Sequence, residues 1–275
     1  MEGPYKLRET VSFIIKEHIQ FHKQIFKLAK SDLIKTYRGA ALGWAWAVVK
    51  PTMTLLVFWF AFSFGLRHGK PIAGYPFFLW LTAGMLPWFF MSEMITGGAS
   101  CIRKYRHLVT KMKFPISVIP TYFTLSHLYV HIALFLITTL LFMCFGYMPD
   151  VYFLQIPFYM LLMFMFSVIW SLLTGLLSAI SIDFQNLIRS LSTAIFWMSG
   201  VLYDVNGIKS HAMRIILKLN PVTFIATGYR NCFIYKVWFF ENPKDILAFA
   251  LVFVTFLIMA LWAFRKLRKE IADVL

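Results

Sequence analysis

The sequence predicts an all-α integral membrane protein with six transmembrane helices, and three observations carry that expectation. Of its 275 residues 60% are hydrophobic and only 14% charged, with a mean hydropathy of +0.70, whereas a soluble domain carries about 25% charged residues. Apolar runs recur along the chain, each near the ~20 residues that a spanning helix needs. Lys and Arg fall between those runs, so the net charge of +15 points to anionic membrane lipids rather than to nucleic acid.

Residues 1–40 are expected to form a cytoplasmic amphipathic interface helix. Val11, Ile14, Ile15, Ile19, Phe21, Ile25, Phe26 and Ala29 recur at roughly helical spacing among Lys16, Glu17, Lys23 and Lys27, as in a helix lying in the headgroup plane. The segment lacks the compact apolar core and small-residue cleavage site of a signal peptide. Residues 41–275 form the membrane domain, with spans expected at 44–65, 77–97, 116–145, 156–182, 187–203 and 246–264. The fifth is the shortest, and Asp183, Gln185, Asn186 and Arg189 precede or open it.

An even number of spans places both termini on one side. With the N-terminus inside, 19 of the 27 Lys and Arg residues lie in inside segments and 8 outside, which satisfies the positive-inside rule. Within the outer stretch 204–245, residues 221–240 are nearly apolar enough to span but contain Arg230, Asn231 and Lys236. A seventh span would centre Arg230 in lipid and throw Arg265 to Lys269 outside, so short re-entrant or interfacial outer helices are expected there.

Few residues carry functional information. The short inner loop of Arg103, Lys104, Tyr105, Arg106, His107, Leu108, Val109, Thr110, Lys111, Met112, Lys113, Phe114 and Pro115 suits either a docking knob for a partner or a polybasic lipid contact. Ionisable residues in or beside spans are functional candidates because an unpaired charge is costly in hydrocarbon. Glu93 lies within the second span, Lys50 opens the first, and Asp183 and Arg189 flank the turn between the fourth and fifth. For Glu93 a structural ion pair and a role in transport both remain open. His127 and His131 share a helix face at i, i+4 but lack further ligands, so interhelical hydrogen bonding is expected and no metal site. Cys101, Cys144 and Cys232 form no CxxC pair and read as packing residues.

The chain contains no phosphate-binding loop, no GxSxG elbow, no HExxH and no clustered Asp pair. A membrane glycosyltransferase or acyltransferase would need such a constellation, and an ATP-independent secondary transporter would be expected to show paired intramembrane charges or an internal repeat. If ATP drives this protein, another polypeptide binds it.

The runs LIKTYRGAALGWAWAVVKPTMTL (33–55), YPFFLWLTAGMLPWFFMSEMI (75–95) and LVTKMKFPISVIP (108–120), with LNPVTF and GYRNCF within 219–233, resemble the permease subunits of bacterial ATP-binding-cassette exporters of cell-surface polysaccharides. The GYR motif followed by WFFE at 238–241 is most similar to the teichoic acid translocation permeases, with the O-antigen and capsule permeases as near relatives. The resemblance implies a homodimer joined to two ATPase subunits, which hold ATP and Mg, and a substrate that is an undecaprenyl-diphosphate-linked polymer, first of all wall teichoic acid. It also implies that Arg103, Lys104, Arg106, His107, Lys111, Lys113, Phe114 and Pro115 form the ATPase-coupling element, and that part of the interface helix meets the ATPase. Trp44, Trp46, Lys50, Glu93, Tyr203 and Arg230 are the candidates for the substrate path or gate.

Overall fold

A computed structural model describes residues 7–66, 71–112 and 114–274. Lys6, Arg67, Lys70 and Lys113, four of the basic residues used above, lie outside the described residues. The helices are α1 (Leu7–Gln20), α2 (His22–Tyr37), α3 (Trp46–Phe60), α4 (Phe77–Lys104), α5 (Arg106–Met112), α6 (Ile119–Cys144), α7 (Ile156–Ile180), α8 (Ile182–Trp197), α9 (His211–Lys218), α10 (Pro221–Arg230) and α11 (Pro243–Val274). Among the described residues the one β feature is an isolated bridge between Ile72 and Tyr75.

Five segments are long and apolar enough to cross a membrane: Gly43–Gly65, Phe77–Met112, Ile116–Cys144, Val151–Ile180 and Pro243–Ile271. Five of the six expected spans fall on them. The remaining one, 187–203, falls on α8, whose 16 residues reach only about 24 Å. Asp183, Gln185, Asn186 and Arg189 occupy its first half, which is why it fails on length and composition together.

Burial identifies α4 as the centre of the bundle. In its most apolar stretch 72% of residues are buried, against 6% in the first span, and α4 packs on α3, α6, α7, α8 and α10. The second span was expected to end at residue 97, but the helix continues to Lys104. The reason is burial: Ala99, Cys101 and Ile102 are at most 1% exposed, and Gly98 lets the backbone approach α7 so closely that a Cβ there would overlap Ser171. By contrast no residue of α3 is buried, and Met53, Val57 and Phe60 present an apolar face outward.

The N-terminal segment is two helices in near-continuous register rather than one. At Phe21 the i→i−4 ladder persists, with its N–H donating to Glu17 O at 2.9 Å and its own carbonyl accepting from Ile25 at 2.9 Å. Helix α2 packs on α6, and α1 packs on α11 and the turn before α6. The latter seat is polar: Ser117 Oγ donates to Glu17 Oε2, and His18 Nε2 lies 2.7 Å from Thr121 Oγ1.

The stretch 204–245 folds as short helices. Helix α10 continues through a π-helical turn (Asn231–Tyr235) and stops at Lys236, whose φ of +56° is left-handed. Its apolar residues are buried on α4 and α7, whereas α9 leaves Met213, Ile215 and Ile216 exposed. Lys236–Asp150 and Lys218–Asp245 pairs, both at 2.8 Å, brace this region.

Candidate functional site

Two places concentrate polar chemistry: an elbow where α2, α4, α5 and α6 meet, and a cleft beside α3. In the elbow, α5 is an amphipathic knob. Tyr105, Leu108 and Phe114 are buried, while Arg106, His107, Thr110 and Lys111 are exposed. Phe114 packs edge-on against Phe21 at 5.2 Å and lies beside Tyr122. The basic loop is thus largely a short helix, α5, which buries Leu108 and is flanked by the buried Tyr105 and Phe114.

The structure separates the expected coupling residues into two groups. Arg106, His107 and Lys111 point outward, and Pro115 is half-buried. Arg103 turns into the bundle instead, where Nε donates to Ser178 O at 2.6 Å and Nη2 to Ala179 O at 3.1 Å. A guanidinium there satisfies carbonyls at the C-terminus of α7. Lys104 lies 4.9 Å from the Tyr105 ring centroid and 5.5 Å from that of Phe123.

The residue that organises the elbow escaped the sequence reading. Asp32 of α2 is 8% exposed. Its carboxylate accepts from the Tyr105 hydroxyl and, at 3.2 Å, from Ser126 Oγ, and Lys104 Nζ stands 3.8 Å away. One side chain therefore joins the interface helices to α4 and α6. The signal was present: Ile25, Ala29 and Asp32 follow i, i+4, i+7, so Asp32 lies on the buried stripe of α2.

The cleft, about 620 Å³, opens between α2, α3, α4 and α6, with Tyr37, Trp46, Lys50, Trp88, Glu93 and His127 among its walls. Lys50 Nζ and Glu93 Oε1 are 3.5 Å apart, with side chains 76% and 47% exposed. Such a solvated pair stabilises a fold by about 0–1 kcal/mol, so it is a weak structural element and is open to exchange with a charged ligand. Glu93 therefore pairs with Lys50 of the first span. Trp44 adjoins the cleft by stacking on Tyr37 at 5.4 Å. Burial, then the Glu93 carboxylate, raises the Tyr37 phenol above its ordinary pKa and keeps it a neutral donor.

Tyr203 and Arg230 lie elsewhere. The Tyr203 hydroxyl donates to Trp197 O at 2.9 Å. Arg230, 2% exposed, donates to the backbone carbonyls of Gly200, Val201 and, at 3.3 Å, Trp80, and its guanidinium lies 3.5 Å from the Trp80 ring centroid. The Glu241 carboxylate accepts from Trp238 N at 2.8 Å. The two histidines are hydrogen-bonded: His131 Nε2 lies 2.7 Å from the Tyr229 hydroxyl and His127 Nδ1 3.0 Å from Phe123 O. Among the described residues no three His, Cys, Asp or Glu side chains gather as a metal would require.

Residues 23–234 match the family model described as ABC-2 type transporter. The chain is 30% identical to the O-antigen export system permease protein RfbA of Myxococcus xanthus over 264 residues, covering 94% of this chain and 98% of that one. It is 25% identical to the Klebsiella pneumoniae protein of the same name over 258 residues, covering 90% and 93%. The chain therefore belongs to the ABC-2 type transporter family, as a multi-pass membrane permease.

Proposed function

We propose that this chain is the membrane subunit of an ATP-driven exporter of a lipid-linked cell-surface polysaccharide of the O-antigen class. The observation that carries this reading is the end-to-end match to O-antigen export permeases. The relatives offer nothing for teichoic acid, which the GYR and WFFE motifs had put first, so the O-antigen reading takes its place. ATP and Mg would be held by two separate ATPase subunits docked on the outward residues of α5 and on α1–α2. Two permease copies would enclose the path, with the unburied face of α3 as a natural surface for the second copy. The cleft of Lys50, Glu93 and the surrounding aromatic rings suits an amphiphile with a diphosphate, since rings stack on sugar faces without fixing register and Lys50 can exchange partners.

The topology proposed with it is six crossings with both termini in the cytoplasm. Support comes from where α8 begins and ends. It starts just after the α7 carbonyls that Arg103 binds, and Gly200 and Val201 just beyond it share Arg230 with Trp80. Arg103 and Trp80 lie roughly 34 Å apart along α4, close to the ~30 Å of the hydrocarbon core. Helix α8 and its following turn would then lead from one level to the other, packed along one face on α4 and α7, with Gln185, Ile188 and Phe196 buried there.

Reconstitution tests the functional reading. With the ATPase from the same exporter, proteoliposomes should move a lipid-linked O-antigen substrate only in the presence of ATP and both subunits. Transport by the chain alone would refute it in favour of a secondary transporter. Labelling from outside should reach a cysteine placed at Ser210 and miss one at Lys269; the reverse would overturn the topology.

A further inference from the structure

Two recesses lie on adjacent faces of α1. The larger, about 720 Å³, sits between α1, the start of α6, α7 and α11, with apolar walls that include Ile15, Ile19, Val168, Leu257 and Leu261. The smaller, about 290 Å³, sits between α1 and the next turns of α11, and carries Lys16, Arg265 and Arg268 against the carboxylate of Glu9. The two are contiguous along both helices. Ile15 and Lys16 are sequence neighbours, and Leu261 precedes Arg265 by about one turn of α11. Ile15 and Ile19 remain 51% and 67% exposed, an arrangement that water disfavours and hydrocarbon satisfies.

We propose that this composite recess is a binding site for one anionic diacyl phospholipid of the surrounding bilayer, with its phosphate at Lys16 and Arg265 and an acyl chain in the apolar slot. Charge complementarity selects the headgroup. Lys16, Arg265 and Arg268 stand against Glu9 and against Glu17, whose carboxylate interacts with Arg268, which leaves an excess positive charge that an anionic lipid neutralises and a choline headgroup does not. The slot selects a lipid over a free anion, because nothing in a soluble phosphate would cover Leu257, Leu261 and Val168. It also separates this occupant from the exported molecule. The slot lies on the flank of α7 and α11 and shares no lining residue with the Lys50–Glu93 cleft. A lipid there wedges α1 against the bundle beside the Glu17–Ser117 and His18–Thr121 contacts, and so holds the interface helices in place.

The test uses the full-length chain in delipidated detergent, with melting temperature and lipid affinity as readouts. Dioleoyl phosphatidylglycerol should raise the melting temperature at lower concentration than dioleoyl phosphatidylcholine. The exposed pair Lys16→Gln and Arg265→Gln should leave the lipid-free melting temperature unchanged and weaken phosphatidylglycerol affinity about thirtyfold. Val168→Trp, which fills the slot, should remove the response to both lipids. Equal responses to the two lipids in the wild type, or retained phosphatidylglycerol preference in the double variant, would overturn the proposal. Stabilisation by glycerol 3-phosphate alone would assign the basic recess to a free anion. Displacement of phosphatidylglycerol by undecaprenyl phosphate at lower concentration would assign the site to the exported lipid. Either result would also refute the proposal.

Discussion

Removing the carboxylate of Asp32 should loosen the elbow, and the size of the effect follows from its partners. In Asp32→Ala the Tyr105 hydroxyl loses its acceptor in a place where Tyr105 is 8% exposed, and an unsatisfied buried donor costs about 1–3 kcal/mol. Ser126 loses less, since its hydroxyl also donates to Phe123 O at 2.8 Å. Breaking a fully buried ion pair would add to about 3–5 kcal/mol, but the Lys104 side chain is 49% exposed and can turn to water. The expected destabilisation is therefore about 2–3 kcal/mol. Asp32→Asn keeps an acceptor for Tyr105 without the charge and should lose about 1 kcal/mol. Thermal melts of the detergent-solubilised chain, run as a double-mutant cycle with Tyr105→Phe, measure this directly. A coupling of at least 0.5 kcal/mol is expected. An Ala variant that melts with the wild type, or a cycle additive to within about 0.3 kcal/mol, would refute the role assigned to this carboxylate.

Three other outcomes are expected. Reversing charge on the outward face of α5, with Arg106→Glu and Lys111→Glu, should leave the melting temperature nearly unchanged and weaken binding of the ATPase subunit, read by co-purification; unchanged binding would return α5 to a lipid contact. Arg230→Lys should cost about 2–4 kcal/mol because a point charge replaces a fork that serves three carbonyls. Gly84→Ala, whose Cβ would overlap the guanidinium, should be destabilising and non-additive with it in melting assays. Glu17 has its pKa raised above the ordinary value, first by burial, against the lowering effects of Ser117, Arg268 and His18. The folded state therefore holds the proton more tightly than the unfolded, and stability falls as pH rises from about 4.5 through the folded value. Glu17→Gln, which keeps an acceptor for Ser117, should gain on the wild type in melting temperature across that rise; a constant difference would show that this carboxylate does not titrate differently on folding.

The positions of the long spans were legible because length and hydropathy alone decide them. Helix α8 was harder to read because it buries only Gln185, Ile188 and Phe196 and leaves Asp183, Asn186 and Arg189 exposed in its first half, so a rule based on length and hydropathy does not mark it. The continuation of α4 past Gly97 was hidden for a related reason: glycines that interrupt an exposed helix also permit close approach to α7. Lys50 and Glu93 were singled out as charges in or beside spans, and with Trp44 and Trp46 as candidates for the path; the fold brings Trp46, Lys50 and Glu93 to one cleft, with Trp44 adjoining it. Arg230 resisted because it donates to backbone carbonyls, those of Gly200, Val201 and Trp80. Carbonyls leave no mark in side-chain patterns.

The same helix connects the two polar places. Glu93 faces the cleft from α4, and about three turns further on Arg103 and Lys104 enter the elbow. The elbow is fixed to α2 through Asp32 and to α7 through Arg103, whereas Lys50 meets Glu93 by a weak, exposed pair. A force applied to α5 or α2 therefore reaches α4 through buried hydrogen bonds, and is released where α4 meets α3 through a contact that breaks at little expense in free energy. Packed helices shift between discrete arrangements rather than deform continuously, and of these contacts the exposed Lys50–Glu93 pair between α3 and α4 is the one that breaks most easily. That contact also lies at the mouth of the cleft, where an opening would change both its volume and the partner of Lys50.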